Sequence, residues 1–416
     1  MRNTFFWWIL IGLMILLDIY VFQAVKVIAQ PAGGKLKIFI YALYWIVSAA
    51  AIVTLIILPY LHFERQAKIF RTTIFAIIAG LFFAKMIASL FFFADDIRRG
   101  VQWASVKLFF SNPGPEVMQE GEKMSRSLFF SWAGMLAGGG LFGSLLYGFG
   151  NKYRYQLNKI ALSFNNLPST FKGIRILQLS DIHSGSFNNK EAVIQGVKKA
   201  MEQKPDLILF TGDLVNNIAD EMKEYMDVFS QLKAPLGVYS VLGNHDYGDY
   251  VQWDSAEEKR KNLEQMKKVH ADLGWRLLLN EHAVIEKDGE AITVIGIENW
   301  SSKARFPKYG NLKTAYTGTS THPFKILMSH DPSHWEAEVI KEYSDIDLML
   351  SGHTHGMQFG VEIPGFKWSP VQYVYKQWAG LYENGNQKLY VNRGFGFIGY
   401  PGRVGILPEI TVFELT

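Results

Sequence analysis

Four long apolar stretches crowd into the first part of the chain, at about residues 4–25, 39–61, 72–94 and 128–149, and none of comparable length follows residue 151. Each is close to the ~20 residues a helix needs to cross the hydrocarbon core of a bilayer. A single run of this kind fits a buried helix or a cleaved signal peptide. Four in succession predict a helical transmembrane domain of four spans over residues 1–150, and a domain of different character over 151–416. Trp7, Trp8, Tyr60 and Arg71 stand at the ends of these runs, where amphipathic and basic side chains anchor a helix at the interface.

Two ionisable residues fall inside the spans, Asp18 in the first and Lys85 in the third. An isolated charge in hydrocarbon is costly, so the expectation is a pair facing each other across the bundle; a transport path is the sharper alternative. Gly139 and Gly143, four apart in "AGGGLFGS", have the spacing that lets two helices approach closely. Four spans put both ends of the domain on one side. Seven basic residues (Arg2, Arg65, Lys68, Arg71, Lys152, Arg154, Lys159) flank that side, and eight (Lys26, Lys35, Lys37, Arg98, Arg99, Lys107, Lys123, Arg126) flank the other, so charge asymmetry does not choose an orientation.

From residue 151 onward short apolar strands alternate with amphipathic helices. Strands are expected at 174–183, 206–213 and 237–246, and helices at 190–203, around 219–232, and at 254–274. Asp288 and Gly289 mark a hairpin; further strands come at "FKILMSHD" and "DLMLSGHTH", and a closing pair is expected near 388–392 and 409–415. This alternation predicts an α/β sheet covered by helices, with the later hairpins adding a second sheet. The net charge of +4 without a concentrated block of Lys and Arg gives no nucleic-acid footprint. With no cysteine, disulfides, thiolate zinc sites and cysteine nucleophiles are excluded, so any metal here is held by nitrogen and oxygen.

In such folds the chemistry sits beyond the carboxyl ends of the strands. Asp181 and His183, Asp213, Asn244 and His245, His330, and His353 and His355 all fall there. Side chains two apart on an extended segment point the same way, so Asp181 with His183, and His353 with His355, can reach one centre. Glycines at 212, 243, 352 and 356 let the backbone turn sharply beside it. A lone Asp-x-His is more often an ordinary surface or core feature; five of the chain's ten histidines, two aspartates and an asparagine in this order are not. His62, His270, His282, His322 and His334 lack such context and read as ordinary, with His334 a possible neighbour of the site.

The blocks "SDIH", "TGDLV", "LGNHD", "SHD" and "SGHTH", spread over about residues 172–360, resemble the calcineurin-like metallophosphoesterase superfamily. The tail "VNRGFGFIGYPGRVGILPEITVFEL" resembles a membrane-associated bacterial branch similar to phosphoesterases related to lipid A precursor hydrolases. The resemblance implies a four-layer αββα sandwich. It also implies one divalent ion held by Asp181, His183, Asp213 and His355, a second held by Asp213, Asn244, His330 and His353, and His245 as the proton-transferring catalytic residue. Imidazole with oxygen donors suits manganese, iron or zinc. Where relatives carry an aspartate to orient the catalytic histidine, this chain has Asn216; Met357 stands where a glycine is common, ahead of Gln358. "MSRSLFF" looks like a worn twin-arginine export signal with Ser127 in place of the second arginine. The expectation is therefore an integral protein of the bacterial cytoplasmic membrane with an extracytoplasmic catalytic domain. It would hydrolyse a phosphodiester, phosphomonoester or pyrophosphate bond, of a lipid or a nucleotide-linked lipid such as a UDP-diacylglucosamine; the alternative is a membrane sensor or transporter that binds metal or nucleotide without turnover. Its expected partners are the lipid bilayer and a phosphoester substrate, not nucleic acid, and the oligomeric state stays open.

Overall fold

A computed structural model describes residues 4–60, 65–109 and 120–416. Arg2 and His62 lie outside the described residues, as does the side chain of Arg126 in the expected export signal. The chain divides into two units, Met1–Tyr147 and Gly148–Thr416.

The first unit is α1 (Thr4–Ala29), α2 (Gly34–Ile57), α3 (Arg65–Phe109) and the helix α4 (Glu120–Gly148), whose last residue opens the second unit. All four are long and apolar enough to cross a membrane, and they make this an integral membrane protein. Leu16, Ile38 and Leu136 point their apolar side chains outward, as lipid-facing positions must. The third helix is 45 residues long and far outruns its apolar stretch. The expected charge pair forms: Lys85 donates to Asp18 Oδ1, which also accepts from Ser48 Oγ at 3.2 Å, while Tyr44 donates to the Asp18 carbonyl at 2.7 Å. Lys85 Nζ reaches Ser48 Oγ at 2.8 Å and lies 4.9 Å from the centre of the Tyr44 ring. The pair is thus wrapped in polar partners inside an apolar bundle, which is what makes its burial tolerable.

The close-packing glycines are not the expected ones. Gly139 and Gly143 have open space where a Cβ would sit, whereas a Cβ on Gly134 or Gly138 would come within 2.7 Å of the Ala88 carbonyl or 2.5 Å of the Ala84 carbonyl. The small-residue face is the Gly134/Gly138 pair, five positions earlier, because that face of α4 turns toward α3. Gly138→Ala should therefore destabilise the helical unit by about 1–3 kcal/mol through overpacking, and Gly139→Ala should leave it unchanged, as read by thermal loss of helical circular dichroism in detergent.

The second unit holds two six-stranded sheets. The first contains β1 (Gln156–Leu162), β2 (Arg175–Leu179), β3 (Leu207–Phe210), β4 (Val238–Ser240), β5 (Arg276–Leu277) and β14 (Glu409–Leu415) in the order β1-β14-β2-β3-β4-β5. The second contains β6 (Glu281–Lys287), β7 (Glu290–Gly296), β8 (Lys325–Met328), β9 (Leu348–Ser351), β12 (Gly380–Asn384) and β13 (Gln387–Val391) in the order β12-β13-β9-β8-β7-β6. A separate hairpin joins β10 (Val361–Ile363) to β11 (Phe366–Trp368). Strands β2 to β5 run parallel, as do β7, β8, β9 and β13. Strands β3, β8 and β9 are buried on both faces and accordingly apolar, β3 throughout and β8 and β9 apart from Lys325 and Ser351 at their ends.

The sheets face each other across Leu162, Ile176, Leu209 and Phe413 on one side and Ile285, Val294, Ile326 and Leu350 on the other. Helices α5 (Lys190–Met201), α6 (Met226–Phe229) and α7 (Ala256–Asp272) cover the first sheet through Val193, Phe229 and Met266. The second sheet is covered by α8 (Leu312–Tyr316) and by a π-helical turn at Trp335–Val339, followed by the single turn α9 (Ile340–Glu342). The architecture is the αββα sandwich.

Three sequence expectations change. The helix at 219–232 is two separate turns, because Tyr225 leaves helical geometry (φ −119°, ψ 2°) between them, although Met222, Val228 and Phe229 still reach the core. The strands near 388–392 and 409–415 belong to different sheets. Strand β1, unmarked by any sharp alternation, pairs in parallel with β14 along its whole length.

Candidate metal centre

Every expected site residue follows the carboxyl end of a parallel strand: Asp181 and His183 after β2, Asp213 after β3, Asn244 and His245 after β4, His330 after β8, His353 and His355 after β9. The two sheets thus deliver their donors to one edge of the sandwich. The backbone reason is not the expected extended alternation. Asp181, His183, Asp213, His353 and His355 all have left-handed φ, from 50° to 70°, a conformation that costs a non-glycine residue about 1–3 kcal/mol and persists only where the surroundings impose it. Nor do all four glycines turn the chain. Gly212 (φ +97°) and Gly356 (φ +53°) do, whereas Gly243 and Gly352 are needed for close approach: a Cβ on Gly352 would lie 2.1 Å from Asp181 Oδ2.

The side chains gather into two groups, Asp181 with His183 and His355, and Asp213 with His330 and His353. In the first, His355 Nε2 is 3.0 Å from His183 Nε2 and 3.2 Å from Asp181 Oδ1. In the second, His330 Nε2 is 3.1 Å from Asp213 Oδ2 and 3.3 Å from His353 Nδ1. Asp213 Oδ2 is also 3.6 Å from His183 Nε2, so one carboxylate oxygen adjoins both groups. His353 and His355, expected to serve a single centre by their spacing, fall in different groups, as the family resemblance implied.

The far nitrogens of these rings are spoken for. His183 Nδ1 donates to the Val215 carbonyl at 3.2 Å and His330 Nδ1 to the Thr211 carbonyl at 2.8 Å. His353 Nε2 donates to the Tyr375 hydroxyl at 2.9 Å, and that hydroxyl donates to Asp331 Oδ2 at 3.0 Å. With these tautomers, assigned from the hydrogen-bond network, His183 Nε2 and His353 Nδ1 present bare lone pairs to the groups they line, whereas His330 Nε2 faces Asp213 Oδ2 and would give up its proton to a cation. Burial holds the His183 and His353 imidazoles below the usual histidine range. Burial works against ionising Asp181 and Asp213, but His355 beside the first and His330 beside the second hold both carboxyls well below the usual range. His330 is pulled down by burial and up by Asp213, which wins and pushes it up to about 10.

The donor set fits divalent cations. Imidazole nitrogens crowd ionised carboxylate oxygens in a buried space, and the buried Asn244 Oδ1 has no hydrogen-bond donor among the described residues, its amide nitrogen being turned to the Tyr250 hydroxyl at 2.9 Å. An orphaned buried acceptor next to such a cluster is what a cation would satisfy.

His245 lies half-buried beside the groups, its backbone N–H donating to Asp213 Oδ1 at 2.8 Å and its ring packed against His183 and Tyr250. Its Nδ1 donates to the backbone carbonyl of Asn216 at 2.7 Å, so the orienting group is a main-chain amide and the Asn216 side chain is occupied with Ser186. Gln358 is buried and structural, accepting from Ile398 N at 2.7 Å and donating to the carbonyls of Tyr400 and Gly402, while Met357 is exposed. His334 sits one layer back, between Ser329 Oγ and Glu338 and against the Trp300 ring, outside both groups. His270, His282 and His322 bond to Ser240, the Ala315 carbonyl and Thr293, far from this edge in role.

Four supporting residues escaped the sequence reading. Asp246 accepts from the backbone N–H groups of Gly243, Asp213, Leu214 and Val215; Asp331 and Tyr375 back His353; Arg403, fully buried, places Nη2 3.2 Å from His355 Nδ1. Asp246 and Asp331 each follow a site histidine directly, which was the available signal; Arg403 had only its place in the tail that resembles the membrane-associated branch, and Tyr375 had none.

A two-sheet sandwich with adjoining histidine–carboxylate groups at its carboxyl edge defines a metallohydrolase scaffold. Comparison with known proteins agrees: residues 174–357 match the calcineurin-like phosphoesterase family, and residues 1–151 match the transmembrane domain of probable calcineurin-like phosphoesterases. The metallophosphoesterase YkuE of Bacillus subtilis, itself uncharacterized, is 30% identical over 71% of this chain and 98% of its own length. The transmembrane protein with metallophosphoesterase domain of Danio rerio is 30% identical over 61% of this chain and 55% of its own, so the chain spans about half of that relative. The UDP-2,3-diacylglucosamine pyrophosphatase LpxG of Chlamydia trachomatis is 27% identical over 56% of this chain and 81% of its own. The chain belongs to the calcineurin-like metallophosphoesterase family, whose members are metal-dependent phosphoester hydrolases.

Tyr375→Phe deletes the hydroxyl between His353 and Asp331 and should weaken binding of the second divalent ion by about 10- to 100-fold with the melting temperature little changed. Calorimetric titration of the metal-stripped protein with Mn²⁺ checks this.

Proposed function

We propose that this protein is a membrane-anchored phosphoesterase that uses two divalent ions to hydrolyse a phosphodiester or pyrophosphate bond of a lipid or nucleotide-linked lipid. The observation that carries the reading is Asp213 Oδ2, poised between the two donor groups with His245 alongside. One ion would be held by Asp181, His183, Asp213 and His355, the other by Asp213, Asn244, His330 and His353. Such a pair would supply Lewis-acid polarisation of the phosphoryl oxygens and activation of water for in-line attack.

The chain's own residues do the rest. His245, its Nδ1 proton fixed on the Asn216 carbonyl, has Nε2 to hold the proton delivered to the leaving oxygen. Lys303 lies over the Tyr375 ring and Arg305 against Phe306, whose ring meets His353 at 4.7 Å, so a basic loop borders the groups where an anionic substrate would enter. A second phosphate, as in a pyrophosphate, suits that loop. The name of the chlamydial relative, a UDP-2,3-diacylglucosamine pyrophosphatase, supports a lipid-linked pyrophosphate as the first substrate to try. Nitrogen and oxygen donors suit manganese, iron or zinc. We place the protein in a bacterial cytoplasmic membrane with this domain on the outer side.

Purified full-length protein loaded with Mn²⁺ should hydrolyse a chromogenic phosphodiester. Asp213→Ala should abolish turnover, and His245→Ala should lower kcat by about 10²- to 10⁴-fold while retaining bound metal. Turnover unchanged in Asp213→Ala defeats the scheme, and substrate binding without hydrolysis in the parent protein would favour a sensor instead.

A further inference from the structure

The hairpin of β10 and β11 is built inside out. Its cross-strand pairs are Val361 with Trp368, Glu362 with Lys367, and Ile363 with Phe366. Opposed residues share a face and successive residues alternate, so Val361, Ile363, Phe366 and Trp368 line one face, and Glu362 and Lys367 the other. The polar face is the one docked on the protein. Glu362 is paired with Arg393, and Lys367 donates to the Ala379 carbonyl and lies over the Tyr382 ring at 4.7 Å. The apolar face has no such partner and is turned outward, with Val361 44%, Ile363 58% and Phe366 55% exposed and Trp368 half-buried, while Glu362 and Lys367 remain solvent-accessible at the edge of their contacts. The same excursion of chain exposes Met357, Tyr373 and Val374. A protruding hairpin that ties its charges to protein partners and turns three large apolar side chains to the outside is arranged for a non-aqueous neighbour.

What that neighbour is follows from where the hairpin is rooted. Gly360 donates to the Val404 carbonyl at 2.9 Å, and Val404 donates back to the Gln358 carbonyl at 2.8 Å. The adjoining Arg403 N–H donates to the carbonyl of Gly148 at 2.9 Å, and Asn151 Nδ2 to the Arg403 carbonyl at 3.3 Å. Gly148 is the residue at which the apolar span Ser127–Gly148 ends. One short segment, 403–404, thus grips both the base of the hairpin and the point where the chain leaves the hydrocarbon. Aromatic and aliphatic side chains at an exposed face are the composition of the bilayer interface. The hairpin also connects inward: Arg393 offers its carbonyl to Arg403 Nη1 at 2.7 Å, and Arg403 reaches His355.

We propose that the β10–β11 hairpin is a membrane-seating element whose outward apolar face lies in the bilayer interface and sets the metal groups at headgroup depth, so that the site takes the phosphate of a lipid still embedded in that leaflet. The seating stands on geometry alone; the lipid substrate rests on the phosphoesterase reading above.

The absence of cysteine makes the test direct. Full-length Ile363→Cys and Phe366→Cys, each carrying an environment-sensitive fluorophore, are reconstituted in phosphatidylglycerol–phosphatidylethanolamine vesicles, with Lys341→Cys as an exposed reference on another element. The hairpin labels should be quenched about twofold or more by lipids bearing a shallow doxyl group and shielded from aqueous iodide, and the reference label should show the reverse. Hairpin labels that behave like the reference overturn the proposal, and so do labels shielded from both quenchers, which would mean a second copy or another protein covers the face. In the second arm, Ile363→Ser/Phe366→Ser should keep turnover of a soluble chromogenic diester within about twofold while hydrolysis of a vesicle-embedded lipid pyrophosphate falls about tenfold or more through KM. Equal loss on both substrates, or no loss on either, overturns it. If the parent protein hydrolyses neither substrate, the phosphoesterase reading fails and the quenching pattern alone decides the seating.

Discussion

One carboxylate oxygen, Asp213 Oδ2, adjoins both donor groups, and the rest of the site is arranged so that it can. Asp213 sits at left-handed φ in a turn that no ladder of strand hydrogen bonds supports. Asp246 supplies the missing partners. Its two oxygens accept four backbone N–H groups, from Gly243 on the β4 loop and from Asp213, Leu214 and Val215 on the β3 loop, stitching two strand ends together from beneath. Asp213 in turn accepts the His245 N–H, which ties the candidate acid to the same turn. Burial and then the neighbouring Asp213 push the Asp246 carboxyl up to about 7, yet its four main-chain donors fix it in place, and it leaves Asp213 free to offer its other oxygen to the site. The strain of the left-handed residues is thereby held by a network and not by any single contact.

Two sheets packed face to face, with their strand ends at one edge of the sandwich, explain why the donors come from such distant sequence. Each parallel strand ends in the same direction, so β2, β3 and β4 deliver one half of the set, and β8 and β9 the other, across an apolar layer of Ile176, Leu209, Ile326 and Leu350 that fixes their spacing. The pairing of Gly212 with Gly243, and of Gly352 with Ser180 and Asp181, shows how little room separates these loops: side chains at those glycines would occupy the space of the donors themselves.

Much of this was legible beforehand because it is written in residue type. Four apolar runs can only be spans or core helices, and histidines beyond strand ends can be counted. What could not be read is what depends on which way a surface faces. Gly139 and Gly143 have the right spacing but the wrong rotation about α4, and sequence carries no phase reference for a helix that is apolar all round. The spacing of His353 and His355 suggested a shared centre through extended geometry, yet left-handed turns send them to different groups. The hairpin at 361–368 has alternation, but alternation names two faces without saying which is inward; the ion pair between Glu362 and Arg393, 31 residues apart, decides it.

The tail beyond β13 had only a likeness to recommend it, and its physical role lies in closing the back of the first donor group. Arg403 is fully buried, and burial pushes its guanidinium down to about 9, a cost offset only because its donors find the carbonyls of Arg393, Gly394 and Gly396. Those carbonyls are available because the chain can pass so near: a Cβ on Gly394 would lie 2.9 Å from Asp181 Cβ, and one on Gly396 would lie 1.9 Å from the Ile182 carbonyl. Phe395 and Gly396 then donate their own N–H groups to the carbonyls of Ser180 and Asp181, at 2.8 and 2.9 Å. The strand-end turn that carries the first carboxylate is therefore held from one side by the β3 loop and from the other by a segment more than 200 residues later in the chain. Because Arg403 also binds Gly148 through its backbone, the residue that backs His355 and the residue that receives the chain from its last span are the same one.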